Sequence, residues 1–439
     1  MRDIVITIVI LGGIPFILRN PWIGIMYWAW IGLMNPHRQA WGFAYDFPFA
    51  QVVAIAIFIG MIFTKDERRW KGGSLSTLLV LFVIWMLVTT AFALIPESAL
   101  FQLERVLKIQ IMTFAAIYVL YTKRHAELLL LICALSIGYY GIKGGLFTIA
   151  HGGHFRVWGP SGSYVADNNA LALAVTMTIP LFYYFYTQAA TFFQHPAVTA
   201  WIKRACLMAM ALCAISALGS QSRGAFLALS ALGVFLWLKG QHKLTIGLLI
   251  VLAIPFIIMF MPESWEARMR TIETYEEDAS AMGRINTWTM LWNIAVDRPL
   301  VGAGFEPYKP WVFALYAPNP ADIHSAHSIW FQVLGEQGFI GFGLFMSLWI
   351  LAWRQARWII AKARGLANFQ WAANMARCIQ LSYIAYWTGG TFLNLAYWDM
   401  PYFLLVCLIV TRHVMDQALE NHNIGHLHQR NALTPKTTV

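Results

Sequence analysis

The chain is 439 residues long, 59% hydrophobic and only 12% charged, with a formal net charge of +10. A water-soluble domain carries about 25% charged and about 45–50% apolar residues. This composition excludes an ordinary soluble enzyme, a nucleic-acid-binding module and a disordered scaffold.

Apolar stretches recur along the whole length, and a spanning helix needs roughly 20 such residues to cross about 30 Å of hydrocarbon. In chain order the candidate spans fall at 4–18, 22–34, 48–64, 76–95, 103–121, 127–142, 168–188, 204–219, 224–238, 244–261, 327–352, 375–393 and 398–412. The first two read as one traversal broken at Arg19-Asn20-Pro21, which gives about twelve crossings with both termini on one side. The expected fold class is all-α, a polytopic integral membrane protein. No small-residue cleavage motif follows Met1-Arg2-Asp3, so the first helix itself is expected to target the chain to the membrane. The five cysteines, Cys133, Cys206, Cys213, Cys378 and Cys407, lie in apolar runs and read as small core residues.

Lysine and arginine orient the spans. Clusters fall at Lys65/Arg68/Arg69/Lys71, Lys123/Arg124, Lys203/Arg204, Lys239/Lys243 and Arg354/Arg357/Lys362/Arg364/Arg377, with Arg412, Arg430 and Lys436 in the tail. Alternating sides from span to span puts all of them on one face, expected to be cytoplasmic. Segments 96–102, 143–167, 220–223, 262–326 and 394–397 then lie outside. The organisation follows: 1–261 an N-terminal helix bundle, 262–326 a large external loop with short helices, 327–412 C-terminal spans, and 413–439 a cytoplasmic tail. Within the loop, Trp265, Met269 and Ile272 share a stripe at helical spacing, as do Trp288, Leu291 and Trp292.

Polar groups at membrane depth are costly, so ionisable residues at the rim of a bundle are functional candidates. On the outer rim Glu97 and Glu104 accompany Arg105 and Lys108, the last two sharing a helix face. The next loop runs His151-Gly-Gly-His154-Phe-Arg156-Val-Trp158 and ends at Asp167-Asn168-Asn169 as a helix begins. A short turn, Gly219-Ser220-Gln221-Ser222-Arg223-Gly224, places Arg223 at a helix start, and Gly283-Arg284 opens another helix. A guanidinium offers a planar fork of donors matched to phosphate oxygens, and helix N-termini already attract anions. Several such sites around one outer cavity would suit a pyrophosphate. The alternative for each arginine is snorkelling to lipid headgroups or pairing with an acid. His324 and His327 stand at the mouth of the span that opens at Asp322-Ile-His324-Ser-Ala-His327-Ser328. The pair suits a proton acceptor, a structural cap or half of a metal site that lacks a third ligand.

The run His327-Ser328-Ile-Trp-Phe-Gln-Val-Leu-Gly335-Glu336-Gln-Gly338-Phe-Ile-Gly341 resembles the signature helix of the O-antigen ligase/polymerase superfamily, a histidine followed by a polar residue, an apolar stretch and a Gly-x-x-Gly end. Gly283-Arg284 with Trp288, then Asp297-Arg-Pro-Leu-Val-Gly-Ala-Gly-Phe305, is similar to the segment before that helix. Ser222-Arg223-Gly224 looks like the family's arginine turn, and Asp167-Asn168-Asn169 like its polar helix start. The opening, Met34-Asn-Pro-His-Arg38 and Trp41-Gly-Phe43, is similar to a subgroup described as exosortase-associated O-glycosylation ligases. One departure is Ser328, where the family usually carries asparagine.

The resemblance implies a C-type membrane glycosyltransferase with one large periplasmic loop, working at the periplasmic face of the Gram-negative inner membrane. It would move a glycan from undecaprenyl diphosphate to a lipid A–core acceptor, with no cofactor, nucleotide sugar or metal, and no nucleic-acid partner. On this reading His327 takes the proton of the acceptor hydroxyl, and Arg223 and Arg284 hold the diphosphate. Arg156, Arg105 and Lys108 form a second ring, His324 assists, Asn168 and Asn169 line the substrate site, and Trp158, Trp288 and Trp311 stack on sugars. An O-antigen polymerase and a protein O-oligosaccharyltransferase would share this chemistry. A transporter for an anionic lipid is the reading from another class.

Overall fold

The computed structural model describes residues 1–239, 279–433 and isolated positions between them. The span expected at 244–261 and the Trp265–Ile272 stripe lie largely or wholly outside the described residues. Those residues form fourteen α-helices and no strand. They are α1 (Arg2–Arg19), α2 (Pro21–Met34), α3 (Phe49–Phe63), α4 (Ser74–Ala91), α5 (Pro96–Val119), α6 (Lys123–Ala150) and α7 (Asn168–Phe192). After them come α8 (Pro196–Gly219), α9 (Arg223–Lys239), α10 (Ala279–Asp297), α11 (Pro310–Tyr316), α12 (Ile329–Lys362), α13 (Gln370–Gly390) and α14 (Asp399–Leu433). Six of the described helices are long and apolar enough to cross a membrane: α4, α6, α7, α8, α12 and the 399–421 part of α14. Two shorter apolar helices, Phe49–Phe63 and Arg223–Leu238, stand beside them.

Local chemistry sets many of these boundaries. Proline occupies the first turn of α2, α5, α8 and α11, where its missing N–H costs nothing. The Asp167 carboxylate caps α7 by accepting the N–H groups of Asn169 (2.7 Å) and Ala170 (3.0 Å). The α6 helix runs to Ala150, two turns past the expected end, and leaves 151–167 as the loop. Its glycine face explains the extension. A Cβ on Gly145 would strike the Leu212 carbonyl, so only glycine lets α6 lie against α8 at this depth.

The expected single traversal over 4–34 is corrected. The α1 and α2 helices double back as a hairpin: the Tyr27 hydroxyl donates to the Val9 carbonyl at 3.4 Å, and its ring lies on Gly13. The Asp3 carboxylate reaches past the end of α2 to the N–H groups of Gly42 (3.0 Å) and Ala44 (3.2 Å). At the other end the Thr64 hydroxyl donates to the Arg19 carbonyl, 3.1 Å away. Long-range hydrogen bonds and one close-packed glycine thus override the apparent continuity of the apolar run.

Among the described residues, the cation clusters gather at one end of the bundle. Lys71 is buried there, its ammonium donating to the carbonyls of Ile117 (3.0 Å) and Tyr118 (3.3 Å) at the close of α5. Lys123 lies over the Trp371 ring and Arg412 over the Trp358 ring, joining the ends of α6, α13, α12 and α14. The polar turns occupy the opposite end. There Tyr45 meets Ser161, Asn168 meets Ser220, and the Leu94 N–H donates to Ala303 at 2.8 Å.

At that end α12 breaks at Gly338, whose φ of 66° and ψ of −175° are outside any helix. The break strands carbonyls that a membrane cannot hydrate. The 298–306 loop supplies the donors: Ala303 N–H to Gly335 (2.8 Å) and Gly304 N–H to Glu336 (2.9 Å). The Trp85 indole donates to the Gln337 carbonyl at 2.9 Å. The loop before α12 is thereby fixed to the helix that follows it.

Candidate functional site

At the polar end the turn between α8 and α9 is built from its own hydroxyls. Ser220 Oγ accepts the Ser222 N–H at 3.2 Å, and Ser222 Oγ caps α9 through the Ala225 N–H at 3.2 Å. Gln221 takes a left-handed φ of 57° at the apex. Its amide donates to the Gly153 carbonyl (3.1 Å) and accepts from Arg156 Nε (3.4 Å). The buried Asn168 amide holds the Ser220 carbonyl at 2.8 Å. Arg156 and Asn168 therefore bear on the turn that Arg223 follows.

Arg223 opens α9, as the sequence suggests. Arg284 does not open α10: it sits in the second turn of Ala279–Asp297, beyond the reach of that helix's terminal dipole. Both arginines nevertheless line one pocket of ≈ 60 Å³, which Asn169, Gln221 and Ser222 share with Ser280 on α10 and Phe392 and Leu393 on the α13–α14 link. A larger hollow of ≈ 540 Å³ between α2 and α6 is walled by apolar side chains such as Trp30, Leu135 and Phe182. It carries no charged group, whereas two guanidinium groups line the smaller pocket.

His327 is not among the residues that line this pocket; it immediately precedes the Ser328 cap of α12, and its backbone N–H is held by Asn394, the residue after the lining residue Leu393. Burial, and after it the Arg284 charge, holds its imidazole below the ordinary pKa, with Asp167 pulling the other way. Burial and the Arg284 charge both favour the neutral ring, the form that can accept a proton. His324 Nδ1 lies 2.9 Å from the Asp322 carboxylate. Ser328 is fully buried, and its hydroxyl accepts the Phe331 N–H at 3.4 Å. At this departure from the family pattern the side chain caps a helix and does not face the pocket.

Arg105 and Lys108 occupy a second cluster. Lys108 pairs with Glu104 at 2.6 Å, while Arg105 lies over the Phe101 and Tyr164 rings and lowers the pKa of Glu306, which burial raises. None of these neighbours lines the arginine pocket. Trp288 is not an open stacking platform either, because its face lies on Phe331 (5.1 Å, 8°) and its indole donates to the Ala326 carbonyl at 2.7 Å. Trp158 and Trp311 are exposed.

Two features escape sequence reasoning. Asn394 accepts the His327 backbone N–H at 2.6 Å; the available signal is one amide among the apolar residues of Phe392-Leu-Asn-Leu-Ala396. The buried Glu336 carboxylate accepts the Tyr397 hydroxyl (2.8 Å) and the Glu306 N–H (3.3 Å), beneath the break in α12.

A comparison with curated proteins finds no match. Residues 1–220, half of the chain, match a family of unknown function, DUF5935. Residues 208–346, which carry Arg223, Arg284 and His327, match the O-antigen ligase family. The chain thus joins a DUF5935 region to an O-antigen ligase domain, and it belongs to the O-antigen ligase/polymerase superfamily.

Proposed function

We propose that this membrane glycosyltransferase is an O-antigen ligase, which moves a glycan from undecaprenyl diphosphate to a hydroxyl of lipid A–core oligosaccharide. The observation that carries this reading is the convergence of Arg223 and Arg284, from separate helices, on one pocket, with the Arg284 charge felt by His327. Its place is the periplasmic face of the Gram-negative inner membrane. The gathering of lysine and arginine clusters at the opposite end supports that orientation.

In the proposed reaction His327 accepts the proton of the acceptor hydroxyl. The oxygen attacks the anomeric carbon from the face opposite the diphosphate, forming the new glycosidic bond. The bond from that carbon to the phosphate oxygen breaks, and its electron pair leaves on undecaprenyl diphosphate. A direct displacement of this kind inverts the anomeric centre. Charge develops on the leaving diphosphate, and two pre-positioned guanidinium groups stabilise it without reorganisation. Asn169 lies in the same pocket as a further donor. Arg156 and Asn168 fix the turn that presents Arg223, while Arg105 and Lys108 form an outer basic edge.

Purified protein in detergent, with lipid-linked glycan and lipid A–core, tests this directly. Ligated product is expected without vesicles. His327→Ala should lower the rate about 10²–10⁴-fold, as expected for loss of a general base. Arg223→Ala and Arg284→Ala should each lower it about 10²–10³-fold. Full activity in His327→Ala would remove the base assignment. Long lipid-linked chains in place of ligated product would make the enzyme a polymerase, and glycan on a protein serine or threonine would make it a protein O-oligosaccharyltransferase.

A further inference from the structure

His327 has a backbone φ of 42°, in the left-handed region that a side-chain-bearing residue adopts reluctantly. Such a conformation persists only where the surroundings impose it. Here the 324–327 segment is gripped from two sides. From α10, the Trp288 indole donates to the Ala326 carbonyl at 2.7 Å. From the α13–α14 link, Asn394 Oδ1 accepts the His327 N–H at 2.6 Å while Asn394 Nδ2 donates to Ser325 Oγ at 2.6 Å. One planar amide thus holds both ends of a three-residue turn, and Phe392 and Leu393 from the same link wall the arginine pocket.

We propose that Asn394 is a positioning residue, whose amide clamps the 325–327 turn and thereby aims the His327 imidazole at the pocket of Arg223 and Arg284. The role rests on the reading of His327 as the proton acceptor. Acting through the backbone, Asn394 governs where the ring stands and leaves the grip on the donor unchanged. Removing it separates kcat from KM. An aspartate has the same shape and still accepts the His327 N–H, and the Ser325 hydroxyl can rotate to donate to it. It also brings a negative charge near the imidazole, which favours the protonated ring.

The test is a kinetic and spectroscopic comparison of Asn394→Ala, Asn394→Asp and Ser325→Ala. Misplacing a reacting group by an ångström costs up to about 10²-fold. Asn394→Ala should therefore lose about 10- to 100-fold in kcat with donor KM within about twofold. Asn394→Asp should recover most of kcat, with the acid limb of its pH–rate profile moved upward. Ser325→Ala, which frees one end of the amide, should give a smaller loss in kcat alone. Independently of turnover, the His327 imidazole signal, assigned by difference from His327→Gln in nuclear magnetic resonance, should titrate closer to the ordinary histidine value in Asn394→Ala. An Asn394→Ala enzyme with unchanged kcat and unchanged His327 titration would overturn the proposal. So would equal losses in the alanine and aspartate variants with the acid limb unmoved. Full activity in His327→Ala would instead defeat the base assignment, while the titration would still report whether the amide positions the ring.

Discussion

Burial and the neighbouring guanidinium act on His327 in the same direction, each disfavouring the imidazolium. The proposed mechanism needs the neutral ring, so activity should hold through neutral pH and fall only as pH drops through a value below 6.5, the ordinary one. The sign of the Arg284 contribution gives a sharper prediction. Arg284→Gln removes a positive neighbour, which makes protonation easier, so the acid limb of kcat/KM should move up. Arg284→Lys keeps the charge and should leave the limb near its original place while losing the forked contact to phosphate. A pH profile of the residual activity of both variants checks this. Identical limbs in the glutamine and lysine variants would show that Arg284 does not set the state of His327. The sequence supplies the arginines and the histidine as candidates because ionisable groups between apolar spans are conspicuous. It does not supply Asn394, a neutral amide 67 residues away, whose relevance exists only once the chain has folded.

The break in α12 does for a helix what the Asn394 amide does for a turn. A continuous helix from Ile329 would satisfy its own carbonyls and have no use for the 298–306 loop. Gly338 interrupts that ladder, and the loop that follows α10 docks onto the released carbonyls. The arrangement ties the helix bearing Arg284 to the one headed by His327. A Cβ at Gly338 would meet the Leu300 backbone and would also have to accept a φ of 66°. Gly338→Ala should therefore destabilise the protein by more than about 1 kcal/mol, the scale at which alanine becomes unfavourable at positive φ. A thermal shift in detergent reads the stability and the ligation assay the activity, which should fall with it. An unchanged melting temperature would mean that α12 can run straight without penalty. The Gly-x-x-Gly motif inside this helix is plain in the sequence. Its physical purpose is not, because a glycine inside an apolar run carries no mark of the torsion it will adopt.

Among the described residues, the cation clusters lie at one end and the polar turns at the other, an asymmetry that alternating spans and arginine positions make legible in advance. The α1–α2 hairpin is the exception. Runs of 4–18 and 22–34 are each shorter than the roughly 20 residues a span needs, so length alone favours joining them. The structure separates them through the Asp3 contacts to Gly42 and Ala44 and through Tyr27 against Gly13, none of which leaves a periodic trace in sequence. The consequence is topological: the start of α1 lies at the same end of the bundle as the 36–48 segment and the 151–167 loop, opposite Arg204. Single cysteines at Arg2, at the exposed Trp41 and at Arg204 test it in sealed vesicles, since the five native thiols are buried. A membrane-impermeant maleimide should label Arg2→Cys and Trp41→Cys from one side and Arg204→Cys only from the other. Labelling of Arg2→Cys together with Arg204→Cys would restore the single broken traversal. In whole cells the first two positions should react once the outer membrane is permeabilised. That result places the arginine pocket where a lipid-linked glycan is delivered, and reaction only after inner-membrane lysis would place it in the cytoplasm and defeat the proposed orientation.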